Sequence, residues 1–325
     1  MIIKISSIDR PSNIIRQTPG SKGNWGNFRF AINSPEIEDC DWWVVLEGVP
    51  DIERANVPKR NTILITGEPP CIKQYQNGFL NQFSTIITCH SGLRHPHVMN
   101  TQQGLAWWVG LSTEGMKVVG YSKTYDDLKA MDITSFRKEK LMSIIASNAN
   151  LTEGHRKRMA FAEEMKSHFG DRIDVFGRGP MEIEDKWKAI APYRYHIALE
   201  NSSVKHYWSE KISDAYLGGA YPLYYGCPNL DEYFPKGSFT KIDIADVQGS
   251  IDTIERAIES GIYEKSLSDI AKSRDLVLDK YNLFPMLTEI CGGNSREHRR
   301  SRIVIRPEAG FGRLRMWAGR QIGRG

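Results

Sequence analysis

Strand-length apolar runs that alternate with helical patterns, in two successive blocks, predict an α/β protein with two doubly wound parallel sheets. The runs are Ile2–Ile5, Trp42–Leu46, Thr62–Thr66 and Thr85–Thr88, then Leu141–Ala146, Arg172–Phe176, Tyr195–Leu199, Tyr221–Tyr225 and Phe239–Ile242, all rich in Ile, Val and Tyr. The clearest helical pattern is His155–Phe169, where Met159, Ala162, Met165, Lys166 and Phe169 recur near helical spacing and charges cover the other side. The polar stretch Ser122–Lys140 has weak periodicity and separates the blocks. The expected division is residues 1–138, residues 139–294 with a last helix that packs back on the first block, and a basic tail over 295–325.

The length of 325 residues suits two domains, and 40% hydrophobic with 25% charged residues is ordinary for a folded chain, which argues against disorder or a disulfide-built miniature. The longest apolar runs, such as Trp42–Leu46, fall far short of the roughly 18 residues a spanning helix requires. Met1–Ser6 reads as a first strand and not as a leader, so a cytoplasmic location is expected. Cys40, Cys71, Cys89, Cys227 and Cys291 are odd in number, spread out and free of any C-x-x-C pair, which points to reduced thiols. Residues 296–325 carry nine Arg against two Glu, a net +7 within a chain total of +4, which leaves −3 for everything before. An acidic body is a poor nucleic-acid surface, so no nucleic-acid partner is expected.

The densest chemistry runs from Tyr195 to Asn229. A strand ends in Glu200-Asn201-Ser202, and Ser209-Glu210-Lys211 opens a helix. Ligands of open α/β sheets bind beyond the carboxyl ends of strands, and helix N-termini favour anions. Lys211 adds positive charge to this corner, and Glu210 is an acceptor suited to sugar hydroxyls; the same two residues also read as a solvated pair in a first helical turn.

The motif order resembles the α-1,3-fucosyltransferases of glycosyltransferase family 10. Leu199-Glu200-Asn201-Ser202, Tyr207-Trp208-Ser209-Glu210-Lys211, Gly219-Ala220-Tyr221-Pro222 and Gly226-Cys227-Pro228 follow the family's donor-domain signature, with Leu199 for its usual Phe and Ser209 for its usual Thr. Upstream, Ser147-Asn148, Arg158 and Val175-Phe176-Gly177-Arg178 resemble further family pieces, and Thr66-Gly67-Glu68-Pro69 looks like the turn that carries the family's catalytic carboxylate. The resemblance covers about Lys140 to Asp243 well and the first block thinly.

It implies a GT-B type fold, two Rossmann-like domains facing a cleft, with the acceptor on residues 1–138 and the nucleotide sugar on 139–294. It implies an inverting transfer of fucose from GDP-fucose to a hydroxyl of a surface glycan such as lipopolysaccharide. Glu68 is then the general base, and Arg158, Asn201, Tyr207, Glu210 and Lys211 bind the donor. An inverting displacement requires a base for the acceptor proton and fixed positive charge for the leaving diphosphate.

Other nucleotide sugars, or a catalytically silent nucleotide- or glycan-binding protein, are the alternatives. No obligatory cofactor or metal is expected. Cys89-His90 and His95-Pro96-His97 match no familiar zinc spacing, and the one D-x-D triplet, Asp39-Cys40-Asp41, lies outside the donor block. Trp25, Trp42, Trp43, Trp107 and Trp108 are numerous for the first block; most read as core, and any that are exposed suit stacking on sugar faces. Drawn as a helix, the tail sets Phe311, Leu314, Ala318 and Ile322 against Arg313, Arg320 and Arg324, with Arg315 out of pattern. Such a basic, modestly amphipathic end suits an anionic surface at the inner face of the cytoplasmic membrane, or a solvated tail.

Overall fold

The computed structural model describes residues 1–8, 12–114, 117–146, 153–177, 183–294 and 299–311. In chain order the strands are β1 (Ile2–Ser7), β2 (Asn24–Trp25), β3 (Phe28–Ile32), β4 (Trp42–Leu46), β5 (Glu53–Pro58), β6 (Thr62–Ile65), β7 (Thr85–Thr88), β8 (Val98–Asn100), β9 (Leu111–Glu114) and β10 (Lys117–Tyr121). There follow β11 (Lys140–Ile145), β12 (Ile173–Phe176), β13 (Tyr193–Leu199), β14 (Tyr221–Tyr225), β15 (Thr240–Lys241) and β16 (Arg300–Ile305). The first sheet has the order β2-β3-β1-β4-β6-β7-β8, parallel throughout except for the short β2–β3 hairpin. The second has the order β12-β11-β13-β14-β15, all parallel. In both sheets the chain leaves a central strand toward one edge and returns to build the other. The reversals fall between β1 and β4 and between β11 and β13, and such points open a crevice at the carboxyl ends of the strands.

Strands with both faces covered are apolar on both sides. In β4, Trp42 and Val44 face one cluster with Ile3, Ile5, Phe30 and Ile63, whereas Trp43 and Val45 face another with Val57, Leu64, Ile86 and Ile305. Leu283, Phe284, Met286, Leu287 and Cys291 of the helix Leu283–Asn294 fill the first of these clusters. A third and larger cluster surrounds the second sheet, built from residues such as Met142, Ile144, Phe161, Met165, Ile197, Ile212 and Leu223.

The two bodies are also joined by polar contacts. Asn282 Nδ2 donates to Gln17 O at 2.8 Å. Buried Arg16 donates to Trp107 O at 2.8 Å and Lys123 O at 2.7 Å while lying 3.9 Å from the centre of the Trp107 ring. The polar stretch after Ser122 is more ordered than its periodicity suggests: a Thr124/Asp127 capping box starts the helix Tyr125–Ala130, and Leu128 and Ile133 are buried.

One expectation is corrected here. A separable tail from Ser295 onward is at odds with β16, which pairs antiparallel with β5 from Arg300↔Pro58 to Ile305↔Glu53. The cause is period-two patterning in Arg-Ser-Arg-Ile-Val-Ile, which turns Ile305 into the first body's core while Arg302 and Val304 stay outside. Glu308 extends the docking by accepting from Gln76 N at 2.9 Å. The helical positions Leu314, Ala318, Ile322, Arg313, Arg320 and Arg324 lie outside the described residues, as do Ser147, Asn148 and Arg178.

Candidate functional site

The carboxyl end of β13 is held by burial. After seven strand residues the chain reaches Glu200, whose N–H donates to Tyr225 O at 2.8 Å and whose side chain has no exposure. A carboxylate so placed must be hydrogen-bonded. Glu200 accepts from Ser209 N at 2.8 Å and Ser209 Oγ at 2.7 Å, and Lys211 Nζ stands 3.6 Å away. Gly226 permits this packing: at its φ of +155° a Cβ would stand 2.4 Å from Glu200 Cγ.

Ser209 is also the N-cap of the helix Glu210–Leu217, so one residue joins the buried carboxylate to the helix start. Lys211 Nζ donates to Ser209 Oγ at 3.0 Å and Glu210 Oε1 at 3.1 Å. Lys186, at the start of the helix Lys186–Ile190, reaches Glu210 at 3.5 Å and Asp214 at 3.2 Å. Asp214 accepts further from Trp108 N at 2.8 Å and Val109 N at 3.0 Å, which ties the inter-sheet segment to the corner.

The electrostatics follow from this wiring. Burial alone would raise the Glu210 carboxyl, but Lys211 and Lys186 carry it well below the usual carboxylate range. Burial raises Glu200, and Glu210 adds to the rise against the pull of Lys211 and Ser209. Burial works against the charge on Lys211, yet Glu210 and Glu200 hold its ammonium above the ordinary lysine value. Burial lowers Arg158, with Glu200 and Glu210 opposing.

Arg158 rises from the helix Glu153–Phe169, the crossover after β11, and donates Nη1–H to Leu199 O at 3.3 Å. Arg158 Nε, Asn201 Oδ1 and Ser202 Oγ are buried and have no partner among the described residues. Buried polar atoms are ordinarily satisfied, so three orphans at one switch point mark a place that a polar ligand would complete. A cavity of about 140 Å³ opens there, lined by Arg158, Lys186, Leu199, Glu210, Lys211 and Asp214. A larger, open hollow of about 590 Å³, lined by Phe136, Lys138, Arg194 and Glu264 among others, lies where β11 and β13 begin, away from the switch point. There Lys138 Nζ closes two helix ends by donating to Ala191 O and Gly218 O, each at 2.7 Å.

Across the cleft, β6 ends in Thr66-Gly67-Glu68-Pro69. Thr66 N donates to Ile87 O at 3.1 Å, and the Thr66 and Thr88 hydroxyls share a 2.7 Å bond, so the turn starts from a fixed strand end. Solvent reaches the Glu68 side chain from the cleft, although protein surrounds it on most sides. That crowding raises its carboxyl first; Glu47 and Glu210 add to the rise, and Lys211 and Lys73 oppose it. Lys211 and Glu210 open the helix beside β13 in the other body, so the two strand ends face each other within electrostatic reach.

The structure therefore gathers Arg158, Asn201, Glu210 and Lys211 at one corner with Glu68 opposite, and buried Tyr207 lies within electrostatic reach of Glu200, Glu210 and Glu68. Sequence reasoning passed over Lys186, whose only signal is a charge at a helix start, and over Asp214, Glu47 and Lys73, which carry no local signal. Of the five tryptophans, Trp42, Trp43 and Trp107 are core and Trp25 packs edge-on to Tyr125 at 5.1 Å. Trp108 is 45% exposed beside the corner, 5.5 Å from Lys186 Nζ. Asp39 and Asp41 pair with Arg300 on the outer ribbon, and His90 bonds the Glu68 carbonyl.

Residues 135–253 match the family described as glycosyltransferase family 10 (fucosyltransferase) C-term. Alpha-(1,3)-fucosyltransferase 4 of Mus musculus is 31% identical over 114 residues, 33% of this chain and 25% of the mouse protein. Alpha-(1,3)-fucosyltransferase FucT of Helicobacter pylori is 30% identical over 74 residues, 22% of this chain and 16% of that protein. The chain thus aligns with about a quarter or less of the length of these two relatives. The crystal structure of an alpha1,3-fucosyltransferase with GDP aligns at 17% identity and a TM-score of 0.50, over 87% of this chain and 92% of that one. The same enzyme class with GDP-fucose aligns at 16% identity, a TM-score of 0.50 and the same coverage. This likeness concerns the fold, which is of the GT-B type: two doubly wound sheets facing across a cleft.

Proposed function

Because residues 135–253 carry the C-terminal domain of glycosyltransferase family 10, we propose that the chain is an inverting α-1,3-fucosyltransferase that moves fucose from GDP-fucose to a hydroxyl of a surface glycan such as lipopolysaccharide. The observation that carries the proposal is the cationic corner with its orphaned polar atoms at the β11/β13 switch point, opposed by a carboxylate at the end of β6. In this reading residues 1–138 take the acceptor and 139–294 the donor.

Glu68 accepts the proton of the acceptor hydroxyl as that oxygen bonds to the anomeric carbon, and the bond from that carbon to the diphosphate breaks on the opposite face. Arg158, Lys211 and the positive end of the helix that Ser209 caps stabilise the charge that develops on GDP, with Asn201, Tyr207 and Glu210 completing the donor site. Arg and Lys supply that charge without an obligatory metal ion. A different nucleotide sugar, or binding without turnover, is the competing reading.

Thermal unfolding with GDP, UDP, ADP, CMP and GDP-fucose separates these readings, because a ligand that binds only the folded chain raises its Tm. The expected result is a rise with GDP and GDP-fucose alone, which persists in EDTA. A rise with UDP or CMP alone removes the fucosyl assignment, no rise with any nucleotide leaves only the silent protein, and loss of the rise in EDTA removes the metal-free donor site.

The reading includes a cytoplasmic enzyme that rests on the inner face of the membrane through its C-terminal basic segment, supported by the net +7 of residues 296–325. Among the described residues no helix is long and apolar enough to cross a membrane. Since β16 is part of the folded body, the deletion that tests this begins after residue 311. Removal of residues 312–325 is expected to abolish binding to anionic liposomes and to spare transfer to a soluble acceptor; unchanged liposome binding would remove the idea.

A further inference from the structure

Glu47 directly follows β4 in left-handed backbone, with a φ of +63°, a conformation that side chains other than glycine and asparagine rarely adopt. It is held there by its own N–H, which donates to Ile65 O at 2.9 Å. Its side chain turns toward the end of β6. Glu47 Oε1 accepts from the peptide N–H groups of both Gly67 and Glu68, the latter at 2.7 Å. Glu47 Oε2 accepts from Lys73 Nζ at 2.8 Å and the Tyr75 hydroxyl at 2.5 Å. Gly67 makes this approach possible, since a Cβ there would lie 2.7 Å from Glu47 Oε1. On its other side the Glu68 peptide is held by His90, whose Nε2 lies 2.9 Å from Glu68 O. A carbonyl only accepts, so that imidazole nitrogen donates.

We propose that Glu47 is a positioning residue for the transfer reaction: by clasping the Gly67 and Glu68 amides it fixes where the Glu68 carboxylate stands in the cleft, and it sets a second negative charge beside that group. The inference rests on the reading of Glu68 as general base. A base displaced by an ångström from its proton loses much of its rate advantage, and a clasp of two amides is a direct way to prevent such displacement. The charged and titratable groups that face the turn are Glu47, Lys73, Tyr75 and His90 on the first body and Tyr207, Glu210 and Lys211 on the second; Glu308 reaches Lys73 at 3.8 Å. After burial, Glu47 is the largest influence that raises the Glu68 carboxyl.

The test compares E47Q, E47A and E68Q with the wild type by GDP release from GDP-fucose with a soluble oligosaccharide acceptor, together with GDP affinity and melting. E47Q keeps the shape and one accepting oxygen but loses the charge, so it carries the test should E47A fail to fold. The expected result for E47Q is a fall in kcat of about tenfold with GDP affinity unchanged. Glu68 must be ionised to accept a proton, so kcat rises with pH through its titration. Removal of the neighbouring negative charge eases that ionisation, and the acidic limb moves to lower pH even as the plateau falls. A merely structural contact would lower the folded fraction and leave that limb in place. Should E68Q be inactive while E47Q and E47A keep wild-type kcat and an unmoved limb, the positioning role is wrong and the base stands; should E68Q keep its turnover, the base reading fails and takes this inference with it.

Discussion

Glu68→Gln is expected to remove transfer while GDP still binds. The substitution keeps the volume of the side chain and deletes only its capacity to take a proton, in a turn whose backbone is held by Glu47 and His90 and not by the Glu68 carboxylate itself. General bases contribute roughly a hundredfold to ten-thousandfold, so turnover should fall at least about a hundredfold. The proposed donor corner, Arg158, Glu210 and Lys211, lies on helices of the other body and is untouched, so the rise in Tm with GDP should match that of the wild type. In the wild type the carboxyl is raised, chiefly by the protein around it and then by Glu47, which shifts its titration upward from the ordinary carboxylate range. Activity should therefore climb with pH through that raised value, then level once Glu68 is ionised. GDP release across a pH series checks both statements together. Retention of more than about a tenth of the turnover would exclude Glu68 as the base, since no value in the general-base range is that small.

The parts of this arrangement that sequence carries are the local ones. Thr62–Thr66 followed by Gly67-Glu68-Pro69 reads as a strand stopped by a charged turn because the apolar run ends abruptly, and the strand indeed ends there. Leu199 to Lys211 is legible for the same reason: a buried strand, a polar loop and a capped helix start lie within a short stretch, so their order alone places a corner. Glu47 is different. Its partners Gly67, Lys73 and Tyr75 are more than nineteen residues away, and its backbone conformation is one that the sequence would sooner assign to glycine. The strand β16 escaped for a related reason, since its partner β5 is more than two hundred residues earlier and its two arginines lie in an Arg-rich stretch that reads as a basic tail. Phe28–Ile32 went unread because its alternation is brief and follows a glycine-rich loop; only pairing with β1 reveals it as a strand. What periodicity reports is the face a residue buries, and what it omits is which distant group meets that face.

Lys211→Met is expected to cost both stability and donor binding, and the pH dependence of the loss identifies its cause. Lys211 is the cation that reaches Glu200 at 3.6 Å and Glu210 at 3.1 Å; Lys186 remains as a partner for Glu210 at 3.5 Å and Asp214 at 3.2 Å. With a thioether in its place Glu200 keeps its two bonds from Ser209 but loses its ion-pair partner, at a position with no solvent exposure. Removal of one partner from a buried ion pair costs roughly 3–5 kcal/mol; Lys211 is one-fifth exposed, which discounts this toward about 2 kcal/mol at neutral pH. Glu200 is already raised above its ordinary value by burial and by Glu210, and without Lys211 it rises further. A group raised in the folded state favours folding below its unfolded value and disfavours it as pH climbs through the folded one. The deficit of the variant should therefore be largest at mildly alkaline pH and shrink toward mildly acidic pH as Glu200 takes up a proton. Denaturant unfolding of both proteins across that range measures it. A pH-independent deficit would mean that Lys211 acts through packing alone. GDP affinity should fall about tenfold or more at all these values, because the same substitution removes an ammonium from the cavity wall that receives the diphosphate in the proposed reading.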